Sequence, residues 1–171
     1  MFEERDIKWL WIILIIVGII VIVSAMTQAQ DITGWMHNKT EDEMDGEVTH
    51  ILMKLSEDSL ENIEMRHKWV ALFLTFDAEG NAKDVGLVHN GFVDGGDVRY
   101  KFDDGDIVES EWMYNEKMIL KAMNNSEMKQ FLTECKSSSV FKIEYDTYND
   151  GMVVKKFGLE GIGEKLEVIG W

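Results

Sequence analysis

The segment KWVALFLTF, residues 68–76, decides the fold class of this chain. Residues 69–74 are all apolar, and because successive side chains of a strand point to opposite faces, such a run is hydrophobic on both faces. A strand of this kind is typical of the centre of a sheet that is covered on both sides. The segment therefore predicts a buried central strand.

Segments that follow this strand alternate between apolar and polar residues with a period of two. Val98, Tyr100 and Phe102 are separated by basic residues, and residues 141–145 repeat the alternation. This periodicity predicts half-buried strands with one solvated face. Further strands are predicted at residues 48–55, 82–89, 108–114, 118–122 and 152–159.

Turns and short helices complete the predicted fold. Asp, Asn and Gly, which favour turns, lie between the strands, as at residues 77–81 and 149–151. Asn124 and Glu127 have the spacing of a capping box ahead of apolar residues at helical intervals, and a second helix is predicted at residues 163–169. Many strands with one or two short helices predict a mostly β, antiparallel β-sandwich-like domain.

An uncharged apolar run precedes this domain at residues 9–26. As a helix, a run of this length comes close to spanning the roughly 30 Å hydrocarbon core of a bilayer. Tryptophans at the start of the run are typical of the headgroup level of a bilayer. Gly18 has no second small residue at the spacing that lets two membrane helices pack closely, so the sequence does not predict helix pairing. The run predicts a single transmembrane signal-anchor helix at residues 9–28. The residues assigned to the membrane are Trp9, Trp11, Gly18 and Met26.

The alternative to an anchor is a cleaved secretory signal, with Thr27 and Ala29 as the small residues before the cleavage point. For an anchor, the basic residues ahead of the run favour an amino terminus in the cytoplasm and a domain in the periplasm, tethered to the inner membrane. The predicted organisation is a cytoplasmic tail at residues 1–8, the helix at 9–28, an acidic juxtamembrane stalk at 29–47 and an extracytoplasmic β-rich domain at 48–171.

The composition is strongly acidic, with 32 Asp and Glu against 17 Lys and Arg and a net charge of −15. Nucleic acid is excluded as a partner because its binding requires clustered Lys and Arg side chains to neutralise the phosphates. A surface this negative also avoids anionic lipid headgroups. Cys135 is the single cysteine, so neither an intrachain disulfide nor a thiolate zinc cluster can form. Four histidines are dispersed along the chain, and each is predicted to be a surface or half-buried residue.

Acidic residues are the candidate ligands and catalysts. Asp103, Asp104 and Asp106 place carboxylates at the short intervals of a calcium site, or they form a solvated loop. Glu109 and Glu111 share one face of a predicted strand and would act as acid and base on a glycan if burial separated their pKa values. Motifs of serine hydrolases, zinc proteases and Walker loops are absent from the sequence. We therefore predict no catalytic residue, no metal and no cofactor.

Aromatic residues are the candidates for a ligand or partner surface. Core packing explains most of these residues, and the alternative is a glycan-binding surface, because flat aromatic faces can stack on sugar rings. The residues concerned are Trp112, Tyr114, Tyr145 and Tyr148.

The order of features along residues 35–168 resembles the TagO/VasI-type envelope proteins that accompany type VI secretion systems, and related uncharacterised bacterial and prophage proteins. The matching residues are Trp35, the acidic stretch 42–45, Val48, the strand 69–76, residues 97–105, Trp112, Phe131, Leu132 and residues 157–161. The family typically carries a cysteine pair near its central strand, and residues 72–76 contain no cysteine. The resemblance implies a single envelope β-domain that serves as an accessory or binding component.

Three functions remain open at this point. The leading one is a non-enzymatic, membrane-tethered interaction or accessory protein of the cell envelope, with the bilayer and an envelope protein as partners. The second is a cell-wall glycan-binding module, and the third is a carboxylate-dependent hydrolase.

Overall fold

The computed structural model describes residues 34–42, 46–61, 69–91, 93–122 and 124–171. The predicted tail at residues 1–8 and the predicted membrane helix at residues 9–28, with Trp9, Trp11, Gly18 and Met26, lie outside these residues. Within the described ranges, no helix has the length and apolar character needed to cross a membrane.

The described residues form ten strands and three short helices. The strands are β1 Met36–Glu41, β2 Val48–Leu55, β3 Val70–Phe76, β4 Ala82–His89, β5 Asp97–Phe102, β6 Val108–Glu111, β7 Met113–Asn115, β8 Met118–Ala122, β9 Val140–Thr147 and β10 Gly151–Gly158. The helices are α1 Glu57–Glu61, α2 Asn125–Ser137 and α3 Ile162–Ile169.

The strands form two antiparallel sheets. The larger has the order β1-β2-β3-β4-β8-β7, and the smaller has the order β10-β9-β5-β6. Side chains of both sheets and of α2 and α3 meet in one hydrophobic core. The prediction of a mostly β, antiparallel domain is confirmed, and both predicted helices are present together with a third, α1, that was not predicted.

Strand β3 lies at the centre of the larger sheet, as its apolar sequence predicted. Leu72 and Leu74 belong to the main core, whereas Ala71 and Phe73 alternate with them and are buried on the opposite face. Phe73 lies across Gly86 of β4, where an added Cβ would be 2.5 Å from the Phe73 ring. Burial on both faces explains why this strand has no polar alternation.

Helix α2 begins as the capping-box spacing predicted. The Asn124 side chain accepts hydrogen bonds from the backbone N–H groups of Ser126 and Glu127, and the Glu127 carboxylate accepts one from the N–H of Asn124. These bonds satisfy backbone donors that have no partner within the helix. The apolar face of the helix is buried in the core and consists of Met128, Phe131, Leu132 and Cys135.

The prediction that residues 29–47 form a solvated stalk is wrong for residues 36–41. These residues form β1, which pairs with β2 from Met36 opposite Met53 to Glu41 opposite Val48. Trp35, immediately before this strand, is buried in the core. The polar composition of β1 is explained by its position at the sheet edge, where charged side chains are common.

The prediction of one strand at residues 108–114 is also wrong. Residues 108–111 form β6 in the smaller sheet, and residues 113–115 form β7 in the larger sheet. The chain changes sheets at Trp112, which is buried. Helix α1 was not predicted, because five residues are too few to show the 3.6-residue periodicity of apolar side chains that identifies a helix.

Candidate functional site

The candidate interaction surface lies where the chain passes from β6 to β7. In the described part of the chain, β6 is the last strand of the smaller sheet and β7 is the last strand of the larger sheet. The two edge strands β6 and β7, one in each sheet, therefore follow one another directly along the chain. A terminal strand presents backbone groups that can pair with another chain.

Trp112 fixes the crossing between these strands. Its backbone N–H donates a 2.7 Å hydrogen bond to the carbonyl of Gly96, and its ring lies 6.1 Å from the ring of Tyr100. A Cβ added to Gly96 would be only 2.0 Å from the Trp112 carbonyl oxygen. This close approach requires glycine at position 96 and holds the strand before the crossing against the crossing itself.

Large apolar side chains are exposed on both sides of Trp112. We call Ile107, Val108, Met113 and Tyr114 the edge patch; their exposed fractions are 56%, 43%, 49% and 57%. Single exposed apolar residues are normal on a protein surface, but four within eight residues at the outer strands of two sheets mark this segment as a candidate interaction site. Glu109 and Glu111 lie between its two halves, and such charges disfavour uncontrolled strand pairing.

The four aromatic residues predicted to form one surface do not come together. Trp112 and Tyr145 are 2% and 0% exposed, so both belong to the core, as the core-packing interpretation predicted, and neither can contribute to a ligand surface. Tyr114 is exposed in the edge patch, and Tyr148 is exposed in the turn between β9 and β10. The structure therefore separates the two exposed tyrosines onto different elements.

The candidate calcium loop is used to hold the backbone. The Asp103 carboxylate accepts hydrogen bonds from the backbone N–H groups of Ser139 and Val140, at 2.9–3.2 Å. Asp104 is fully solvated and reaches Lys142 and Lys101 at 3.6 and 4.0 Å, while Asp106 is exposed. Across the residues that the structure describes, no group of three or more His, Cys, Asp or Glu side chains is arranged to hold a metal ion.

The groups considered for catalysis lack the environment that catalysis requires. Glu109 and Glu111 are both exposed on β6, where nothing separates their environments. Cys135 is fully buried, and this burial raises the pKa of its thiol far above the ordinary value. A buried neutral thiol is a poor nucleophile, so Cys135 is a core residue, as its helical spacing indicated.

Two of the histidines, which look isolated in the sequence, form a pair. His37 of β1 and His50 of β2 stack with ring centroids 5.2 Å apart, and a hydrogen bond of 3.0 Å joins their ring nitrogens. Burial, together with the positive charge of His50 and of Lys165, lowers the pKa of His37. The sequence does not predict this pair, because the two histidines meet only through the pairing of β1 with β2.

Comparisons with known proteins add no relative to this description. No family model matches the chain, and neither a curated protein nor a solved structure matches it.

Proposed function

We propose that this protein is a non-enzymatic, membrane-tethered interaction module of the cell envelope. In this proposal, residues 9–28 anchor a β-sandwich-like domain in the periplasm, where it binds an envelope protein partner. The resemblance to TagO/VasI-type proteins supports an accessory role of this kind.

The observation that carries the proposal is the edge patch. Four large apolar side chains are exposed along residues 107–114, with Val108 on β6, Met113 and Tyr114 on β7, and Ile107 just before β6. The outer edges of β6 and β7 can accept a further strand. An interface needs apolar groups to bury and a geometry that specifies the partner's register. The edge patch provides the first, and the backbone of β6 and β7 provides the second.

The partner can be identified by crosslinking. A photo-crosslinking amino acid at position 114 in the full-length chain, expressed in native membranes, is expected to capture one discrete membrane protein. The same amino acid at Tyr148, which is exposed on a different element, is the matched control. Equal crosslinking from both positions, or none from position 114, would contradict the proposed interface.

The tether is tested separately from the interface. We expect the full-length chain to remain in the membrane fraction after carbonate extraction, and a phosphatase fused to the carboxyl end to be active in intact cells. Release by carbonate would rule out the anchor, and an inactive phosphatase would rule out a periplasmic domain.

A further inference from the structure

A row of three lysines crosses the outer face of the smaller sheet. Lys101 of β5 is directly opposite Lys142 of β9, and Lys142 is directly opposite Lys156 of β10. Their sequence neighbours Phe102, Phe141 and Phe157 pack in or against the core, so strand alternation places the lysines outside. We call Lys101, Lys142 and Lys156 the lysine row.

This arrangement is unfavourable for the isolated domain. Neighbouring strands are about 4.8 Å apart, and like charges directly opposite one another destabilise a sheet. The chain has almost twice as many acids as bases, with 32 against 17, so an acidic or neutral partner at one of these positions would be the ordinary composition. The lysine row is therefore a local concentration of positive charge on a protein that is acidic as a whole.

The adjacent register position shows the ordinary arrangement. Arg99 lies opposite Glu144 on one side and Glu109 on the other, and its guanidinium forms a 2.8 Å ion pair with Glu144. Charge is thus balanced across the strands one step away from the lysine row. Asp104 approaches two of the lysines, but its side chain is 97% exposed, and ion pairs this solvated are weak.

We propose that the lysine row binds a phosphate-bearing anion. Each ammonium group carries three donors and acts as a point charge toward phosphate oxygens, and the strand spacing allows neighbouring lysines to share one phosphate group. Exposed Met152 and Val154 lie beside Lys156 on the same face of β10. Phosphate chemistry is common to soluble polyphosphates and to phospholipid headgroups. The net charge of −15 disfavours anionic lipid for the domain as a whole, but the lysine row is a local exception, and its exposed apolar neighbours suit a headgroup.

The primary test is titration calorimetry of the full-length chain in non-ionic detergent with tripolyphosphate. We expect binding that weakens with salt and that falls at least about tenfold in the triple variant K101Q/K142Q/K156Q, since three charge-assisted contacts are removed. The variant K129Q, which changes an exposed lysine on α2, is expected to bind as the original does. Asp104→Asn should increase affinity because it removes the competing carboxylate.

A second measurement distinguishes the source of the phosphate. Amine acylation of the lysine row, followed by mass spectrometry, is compared in mixed micelles of phosphatidylcholine with and without phosphatidylglycerol. Slower acylation with phosphatidylglycerol assigns the site to a lipid headgroup, whereas slower acylation only with tripolyphosphate assigns it to a soluble anion.

The stability of the triple variant provides an internal check. Because repulsion is relieved, the triple variant is expected to melt at the same temperature as the original or higher, so lost binding cannot be attributed to unfolding. Original-level affinity in the triple variant, or slowed acylation at Lys129 equal to that at Lys142, would overturn the proposal.

Discussion

His37 and His50 face each other across the first two strands, with Nε2 of His37 3.0 Å from Nδ1 of His50. One imidazole must donate and the other must accept, so this bond requires at least one neutral ring. The positive charge of Lys165 on α3 also disfavours the protonated form of His37 and contributes to its lowered pKa. The pairing of edge strand β1 with β2 therefore includes one side-chain contact that depends on pH.

The first prediction concerns this pH dependence. The pKa of His37 in the folded protein lies below its ordinary value of 6.5, so the unfolded chain binds more protons as the pH falls through that value. The free energy of unfolding should therefore decrease between pH 7.5 and pH 5.5, as urea denaturation would show. Burial also lowers the pKa of His89, which contributes in the same direction.

His37→Gln separates the two contributions, because glutamine can form a hydrogen bond but cannot be protonated. We expect this variant to lose less stability on acidification than the original does, with His89→Gln as the matched control for the other buried histidine. An unchanged acid dependence in both variants would show that neither histidine is responsible.

The second prediction concerns the close approach at the sheet crossing. In thermal denaturation, Gly96→Ala should lower the free energy of unfolding by about 1–3 kcal/mol, because the new Cβ meets the Trp112 carbonyl at 2.0 Å and the backbone must move. Gly158→Ala is the control, since no atom lies within 4 Å of its added Cβ. Its effect should be smaller than about 0.5 kcal/mol in the same thermal denaturation.

The third prediction concerns the cap of α2. Asn124→Ala removes the acceptor for two backbone N–H groups and should cost about 1 kcal/mol in urea denaturation. Asn124→Asp keeps the acceptor and places negative charge at the helix amino terminus, so it should retain the original stability. If alanine and aspartate behaved alike, the cap would contribute nothing.

The fourth prediction distinguishes the half-buried carboxylate of Asp103 from the exposed carboxylate of Asp104 in the same loop. Asp103→Ala leaves the N–H groups of Ser139 and Val140 without their acceptor and should cost about 2 kcal/mol. Asp104→Ala removes a solvated ion pair and should change stability by less than about 0.5 kcal/mol. Calcium should leave the melting temperature of the original unchanged. A calcium-dependent rise that Asp103→Ala abolishes would restore the loop as a metal site.

Local sequence patterns correctly predicted the strands and the helix start whose structure depends on residues close together in the chain. The continuous apolar run of residues 69–74 and the alternation at residues 98–102 each identified a strand, because burial on two faces or one leaves a direct mark on sequence. Asn124 and Glu127 predicted the start of a helix because a capping box is formed within four residues.

Partner surfaces were harder to predict because exposure is decided by the whole fold. Trp112 and Tyr114 are two residues apart, yet the first is buried and the second is 57% exposed, since the chain changes sheets between them. The aromatic composition was visible in the sequence. Which rings face water was not.

Composition and local pattern alone specify a mostly β domain, its central strand, its main helix and a net charge of −15, since each depends on residue counts or on residues close together in the chain. Only the tertiary structure placed His37 beside His50 and aligned Lys101, Lys142 and Lys156, because strand pairing brings together residues that are 13 to 41 positions apart. Register is a long-range property, and it decides which side chains meet.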